Sequence, residues 1–229
     1  MATPRLRVGA QAAASVSGVK PSPPSVQRAE PTWQAMQQGL AFIVRHPALR
    51  WIVLAQFVTA LSARPYSQLI PAFAVNVLHA GPRGLGWAVS AIGIGGFGGA
   101  LVTAYFAQRE RRSRLWLQSG LLMSAGVLVL AFVPSLRLAV FVLFVIGVGT
   151  MAMMGATSTL IQMLSPDDVR GRALSIYTMI AIGVMPLGSL VDGAIGSIIG
   201  LRETFALAGA LCVVLFLGIW LFAPIVRTV

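Results

Sequence analysis

Two ionisable side chains, Arg64 and Asp192, lie within long apolar stretches of this 229-residue chain. An arginine at the centre of a bilayer costs about 2.5–3.5 kcal/mol, so it requires a compensating environment. It can line an aqueous pathway that attracts anionic groups. It can also be a structural arginine, held by Asp192 or by carbonyls freed near Pro65. Because charge inside a membrane usually marks function, we favour the pathway for Arg64.

Further polar residues accompany Arg64 in the same stretch. At about 100° per residue, Gln56, Arg64, Ser67 and Gln68 fall within an arc of about 120°, which indicates a face turned to water or protein. Asp192 could carry a proton, because burial disfavours the charged carboxylate. It could equally pair statically or lie in an outer vestibule. The predicted substrate or proton pathway is therefore Arg64, Gln56, Ser67, Gln68 and Asp192.

No catalytic constellation is present in the sequence. His46 and His79 fall on opposite sides of the predicted membrane, and Cys212 is the only cysteine, so neither a metal site nor a disulfide is predicted. The only lysine is Lys20, which excludes a phosphate-binding loop. The glycine-rich stretch 93–99 lacks the preceding strand that dinucleotide binding requires. We therefore predict no enzyme and no cofactor.

The elements that must position these residues are membrane-spanning helices. The chain is 57% hydrophobic and only 10% charged, whereas about a quarter of the residues in a soluble domain are charged. Its six apolar runs each approach or exceed the roughly 20 residues that cross a bilayer as a helix. They cover residues 51–78, 86–107, 115–133, 138–163, 173–198 and 204–224. An all-α integral membrane protein with six spans is predicted.

The distribution of Lys and Arg predicts the orientation of these spans, since basic loops stay in the cytoplasm. Thirteen basic residues fall on the side of the N-terminus, and only Arg83, Arg137 and Arg202 fall on the other. Both termini are therefore expected to be cytoplasmic. The net charge of +11 is explained by topology, and no nucleic-acid partner is predicted, because the charges are divided among short loops.

Two segments precede the first span. Residues 1–31 have the composition of a flexible cytoplasmic linker. Residues 32–50 place Trp33, Met36, Leu40 and Ile43 at helical spacing, which predicts an amphipathic helix along the inner membrane surface. The alternative is a loosely ordered extension of the first span. Residues 51–229 form the predicted transmembrane domain.

Proline and glycine inside the spans predict kinks and close packing. A proline removes one backbone hydrogen bond and kinks a helix, and small residues four apart let helices approach closely. Packing alone is the simpler explanation of each glycine. The residues concerned are Pro65, Pro71, Gly95, Gly99, Gly183, Pro186 and Gly188.

Four segments resemble the major facilitator superfamily, in particular the bacterial exporters related to the enterobactin exporter. Residues 162–175 are similar to the connection between the tenth and eleventh helices of that family. Residues 64–74, 84–95 and 186–193 resemble its seventh, eighth and eleventh helices. The residues of the cytoplasmic loop motif are Asp167, Asp168, Arg170, Gly171 and Arg172.

The resemblance covers only the C-terminal half of a twelve-helix transporter, with a cavity lined by the first, second, fourth and fifth spans. It implies proton-coupled efflux of a small organic compound, of drug or siderophore type, across the plasma membrane. Its implied partners are the lipid bilayer, protons, and a complementary six-helix half or a second copy. The alternative is a truncated, non-transporting membrane fragment or assembly partner.

Overall fold

The computed structural model describes residues 32–106 and 112–223, and these ranges form nine α-helices. The predicted linker over residues 1–31 lies outside the described residues. In chain order the helices are α1 (Thr32–Arg45), α2 (Pro47–Leu61), α3 (Tyr66–Asn76), α4 (Pro82–Phe106), α5 (Arg112–Leu130), α6 (Leu136–Leu164), α7 (Asp167–Gly183), α8 (Met185–Ile199) and α9 (Leu201–Phe222).

Five apolar helical segments are long enough to cross a membrane, and α7 and α8 together, as Asp167–Ile199, count as one of them. A sixth is counted when Met36–Arg45 and Pro47–Asn76, which are bent by 109° against each other, are taken together. Every regular element in the described ranges is a helix. The predicted all-helical membrane fold is confirmed, with five to six spans where six were expected.

Helix boundaries follow local sequence. His46 is extended, with φ −81° and ψ 117°, and its Nδ1 accepts the N–H of Leu49 at 3.3 Å. Pro47 then opens α2, where its missing N–H costs nothing. Helix α1 therefore ends at Arg45, and residues 47–50 belong to α2 rather than to the surface helix. Gly200, with φ 103°, separates α8 from α9, in a conformation that favours glycine.

Helix α1 carries apolar side chains on two sides. Gly39 and Ile43 are buried, and a Cβ at Gly39 would lie 2.9 Å from Ile176 of α7. Leu40 and Val44 are exposed on the other side. One side of α1 thus packs on α7, and the other side is free to contact lipid. The apolar residues predicted to share one side of the amphipathic helix are therefore divided between these two sides.

The outer surface of the described helices is apolar, with Phe222 84% and Ile198 82% exposed. Apolar surface on this scale is unfavourable in water and matches lipid. The interior is held by aromatic packing. Trp116 and Phe216 lie 5.4 Å apart between their ring centroids, and the indole N–H of Trp116 donates to Thr157 at 2.9 Å. The chain is a multi-pass protein of the plasma membrane.

Candidate functional site

Two of the spans are interrupted near their middle. The predicted first span divides into α2 and α3 at residues 62–65, and the predicted fifth divides into α7 and α8 at Val184. Pro65 and Pro186 stand at these interruptions, because a proline cannot donate the N–H that would continue the helix. Pro71, in contrast, lies inside α3 without ending it.

The two interruptions touch each other at Gly188. A Cβ there would collide with the carbonyl oxygen of Leu61 and would lie 2.7 Å from the Pro65 ring. Only a residue without a side chain allows the backbone of α8 to approach the end of α2 this closely. Gly183, at the end of α7, has open space around it instead.

Arg64 lies in the interruption between α2 and α3 and joins it to α7. Its side chain is 9% exposed. Its Nη1 donates to the carbonyl of Ala181 at 3.1 Å, and its Nη2 lies 3.4 Å from the sulfur of Met154 in α6. Ala181 is in the last turn of α7, where carbonyls have no partner within the helix. The C-terminus of α7 thus ends inside the membrane against a positive charge.

This contact explains how the charge is compensated without a carboxylate. The C-terminal end of a helix carries a partial negative charge, which a nearby cation stabilises. Within the described ranges the one salt bridge joins Arg170 to Asp167, so Asp192 is not an ion-pair partner of Arg64. A carbonyl does hold the guanidinium, as the structural interpretation expected, but it comes from Ala181 rather than from the region of Pro65.

Two tyrosines near Arg64 were not among the predicted site residues. Tyr66 and Tyr177 are buried and lie close enough to interact electrostatically with the guanidinium. The hydroxyl of Tyr177 donates to the carbonyl of Met154 at 3.3 Å, and Tyr66 interacts with the Thr150 side chain. Tyr177 precedes Ala181 by one helical turn. Their signal in the sequence is that the two lie within apolar stretches of a chain that has only three tyrosines.

The predicted polar arc around Arg64 assumed one continuous helix, which the interruption at residues 62–65 removes. Gln56 is fully buried in α2, and in the described part of the chain its amide oxygen and nitrogen have no hydrogen-bond partner. Ser67 is half-buried and donates to the carbonyl of Arg64 at 3.3 Å, while Gln68 is exposed. The four residues therefore have different environments.

Asp192 lies in α8 and is 5% exposed. It interacts electrostatically with the Cys212 thiol of α9, and that thiol contacts the backbone of Ala63. Asp192 is thus placed where α8 and α9 meet the interruption between α2 and α3. A buried carboxylate with no basic partner among the described residues is a position at which a proton can be bound.

The loop motif connects three helices at one end of the bundle. Asp167 and Asp168 begin α7, where negative charge favours the helix N-terminus. Arg170 forms a salt bridge with Asp167 at 2.7 Å, and its Nε donates to the carbonyl of Gln162, in the last turn of α6, at 2.9 Å. Arg172 donates to Gln38 of α1. Gly171 faces open space.

Gly95 and Gly99 lie where α4 crosses α6. A Cβ at either position would collide with an α6 carbonyl oxygen, that of Phe144 or Val148. Gly147 of α6 reciprocates, because a Cβ there would collide with Ile92 of α4 at 2.5 Å. This small-residue face is therefore occupied within the chain.

The helical fold of this chain matches part of a solved membrane transporter. The crystal structure of a peptide transporter POT in complex with sulfate matches with a TM-score of 0.65 at 24% identity, over 80% of this chain and 41% of that one. At this identity the likeness concerns the fold alone.

The chain belongs to the transmembrane secretion effector family, whose profile matches residues 14–227. It is 28% identical to the multidrug efflux pump Tap of Mycolicibacterium fortuitum, over 83% of this chain and 46% of that protein. It is 31% identical to Tap of Mycobacterium tuberculosis strain H37Rv, over 73% and 40% respectively. The chain spans about half the length of the curated relatives it matches.

Proposed function

We propose that this chain is one six-helix half of an efflux transporter that moves a small organic compound across the plasma membrane. The observation that carries the proposal is the contact of two interrupted spans at Arg64 and Gly188, in the middle of the apolar helices. Interrupted helices place backbone polar groups at membrane depth, where transporters bind substrates and coupling ions. Family membership and the similarity to multidrug efflux pumps support the same function. The proposed activity is transport without enzymatic chemistry.

A complementary half completes the transporter in this proposal. Facilitator-type transport rocks one half against the other around a central site, and the relatives are about twice as long as this chain. A second copy is the weaker candidate for this role, because the face of Gly95 and Gly99 already packs against α6. The competing function is a non-transporting fragment or assembly partner.

The proposed pathway contains Arg64, Gln56, Ser67, Gln68 and Asp192. In this proposal Arg64 holds the end of α7 and its positive charge attracts anionic groups to the pathway. Asp192 is the proposed proton carrier, since it is buried and has no basic partner in the described residues. Gln56 has unused amide groups that a water molecule or substrate could satisfy.

Proton coupling and transport are tested by reconstitution. The chain is placed in vesicles with an imposed proton gradient, alone or co-expressed with the part of the Mycolicibacterium fortuitum relative that this chain does not match, and uptake of fluorescent organic compounds is measured. We expect uptake only in the paired sample, and its loss in Asp192→Asn. Uptake by the chain as a monomer would refute the half-transporter proposal. Gradient-driven uptake by Asp192→Asn would refute only the proposed role of Asp192 as proton carrier and would leave the half-transporter proposal standing.

The orientation, with both termini cytoplasmic, is proposed from the distribution of basic residues. Single cysteines at Asp168 and Ser135, both exposed, are introduced in a Cys212→Ala background. An impermeant thiol reagent added to intact cells should label Ser135→Cys, and should label Asp168→Cys only after permeabilisation. The opposite labelling pattern would reverse the orientation.

A further inference from the structure

Two arginines flank the corner at which the chain turns from α1 into α2. Arg45 is the last residue of α1, and Arg50 lies in the first turn of α2. Both side chains are exposed. In the described part of the chain neither has a salt-bridge partner. The corner therefore presents two uncompensated positive charges at one end of an apolar helix.

An apolar groove begins directly beneath Arg50. The guanidinium carbon of Arg50 lies 5.7 Å from the centroid of the Trp51 ring, a cation–π distance. Arg50, Trp51 and Leu54 together line an open surface pocket. Phe57, 43% exposed, continues the same face of α2. Seven residues of helix extend the strip for about 10 Å.

The opposite face of α2 is not available to a ligand. Ile52, Ala55 and Thr59 are all buried in the interior. The exposed strip is thus one-sided, with positive charge at its head and only apolar side chains below. Contact with lipid tails uses only the apolar part, whereas the arginine stacked on a tryptophan at its end adds a charged group that an anionic headgroup can bind.

This arrangement has the chemistry of a single membrane component. A guanidinium binds phosphate oxygens through paired hydrogen bonds, tryptophan prefers the headgroup level of a bilayer, and the strip below matches an acyl chain. Basic groups at this depth attract anionic lipids by electrostatics. The apolar strip distinguishes a phospholipid from free phosphate as the ligand. Free phosphate would contact only the arginines, whereas a phospholipid would also occupy the strip.

We propose that the corner between α1 and α2 is a binding site for one anionic phospholipid. Arg50, together with Arg45 at the end of α1, holds the headgroup phosphate, and one acyl chain lies along Trp51, Leu54 and Phe57. None of these residues belongs to the proposed transport pathway, so the site can be tested whether or not the chain acts as a half-transporter.

Native mass spectrometry of the purified full chain tests the site. The protein is extracted from vesicles containing equal amounts of phosphatidylcholine and phosphatidylglycerol, and the retained lipids are counted. We expect one retained phosphatidylglycerol, with retention reduced roughly fivefold in Arg50→Gln, as befits the loss of one basic group at the surface. Trp51→Leu should reduce it as well. Arg137→Gln is the matched control, because Arg137 is an exposed arginine at the start of another helix, α6.

Three results would overturn the proposal. Equal losses in Arg50→Gln and Arg137→Gln would mean that net charge alone retains the lipid. Displacement of the lipid by excess inorganic phosphate would identify a phosphate site without an acyl-chain component. A dimer mass that appears in place of bound lipid and disappears in Trp51→Leu would assign the strip to a second copy.

Discussion

The interrupted spans and the pair formed by α4 and α6 bring helix backbones together in different ways. Helices α4 and α6 are continuous and meet through glycines, with Gly95, Gly99 and Gly147 placed against carbonyls of the facing helix. The interrupted spans meet through one glycine, Gly188, and through a side-chain hydrogen bond from Arg64. The contact between α4 and α6 depends on residues that lack a side chain. The contact between the interrupted spans also depends on a charged side chain, that of Arg64.

The difference concerns what each contact allows. A glycine interface gains dispersion and close packing over its whole length, and it has one geometry. A guanidinium at a helix end can exchange one carbonyl for a neighbouring one, since the last turn of a helix offers several. We therefore infer that α4 and α6 move together, and that relative motion takes place at the interruptions between α2 and α3 and between α7 and α8.

The strongest way to break the comparison is to fill the glycine interface. Gly99→Leu places four carbons where α6 backbone already stands, so the two helices must separate. Overpacking a core costs about 1–3 kcal/mol and more when backbone is displaced. We expect about 3 kcal/mol or more of lost stability, measured as a fall in the thermal unfolding midpoint in detergent.

Gly93→Leu is the matched control for this substitution. Gly93 is in the same helix, and no atom lies within 4 Å of a Cβ placed there. The free energy of unfolding of Gly93→Leu should lie within about 0.5 kcal/mol of the wild-type value, as is usual for surface substitutions. Equal destabilisation by both leucines would show that α4 tolerates no leucine at all, and the interface interpretation would be lost.

Removing the charged contact should have a smaller effect. Arg64→Ala leaves the Ala181 carbonyl without its donor, and an unpaired buried polar group costs about 1–3 kcal/mol. We expect a loss of about 2 kcal/mol in stability. Hydrogen exchange should rise around Ala181 and Gly183 and stay unchanged in α4, which Arg64 does not contact.

Arg64→Lys separates charge from geometry in this experiment. A lysine keeps the positive charge at the helix end but lacks the planar donor set, so it should restore part of the stability. Arg83→Ala, at an exposed arginine in α4, should leave exchange at Ala181 unaltered. If Arg64→Ala exchanges like the wild type, Arg64 does not join the interrupted spans.

A second arginine donates to carbonyls at a helix end, that of α5. Comparing it with Arg64 tests how the depth of such a contact in the membrane affects its contribution to stability. Arg202 donates to the carbonyls of Ala131 at 3.5 Å and Val133 at 3.3 Å, just beyond that helix, and is half-buried. Water can replace a donor at the surface but not in hydrocarbon. Arg202→Ala should therefore cost about 0.5–1 kcal/mol. A loss in midpoint as large as that of Arg64→Ala would contradict the influence of depth.

Much of this fold follows from composition, because each apolar run becomes a helix wherever it is long enough. The interruptions were less predictable. Pro65, Pro71 and Pro186 all lie within predicted spans, yet Pro71 remains inside α3. A kink becomes a break only where tertiary contacts satisfy the freed backbone groups, as Arg64 does for Ala181, and such contacts are not encoded in one segment.

The candidate site was predicted in its residues more than in its geometry. Arg64 and Asp192 stand out because charge is rare in apolar runs, but their pairing does not occur. The helical arc that joined Gln56 to Ser67 and Gln68 depended on a continuous helix. Tyr177 approaches Arg64 from a segment more than one hundred residues away in sequence, a proximity that only the packing of α7 creates.

The smallest expected effect concerns the corner before α2, a joint held by a titratable cap rather than by a permanent charge. Partial burial lowers the pKa of His46 below its ordinary value of 6.5, and its neutral Nδ1 accepts the N–H of Leu49. The cap therefore contributes stability above about pH 6.5 and loses it as the pH falls through the lower pKa that His46 has in the folded state.

Between pH 8 and pH 5 in neutral detergent, the unfolding midpoint of the wild type should fall by about 1–2 °C more than that of His46→Asn. Asparagine is the control because it caps a helix without titrating. A wild type that instead gains stability towards pH 5 would mean that its imidazolium is favoured, as it would be beside a retained lipid phosphate, and the cap would then not be the contact that determines the pH dependence of this corner.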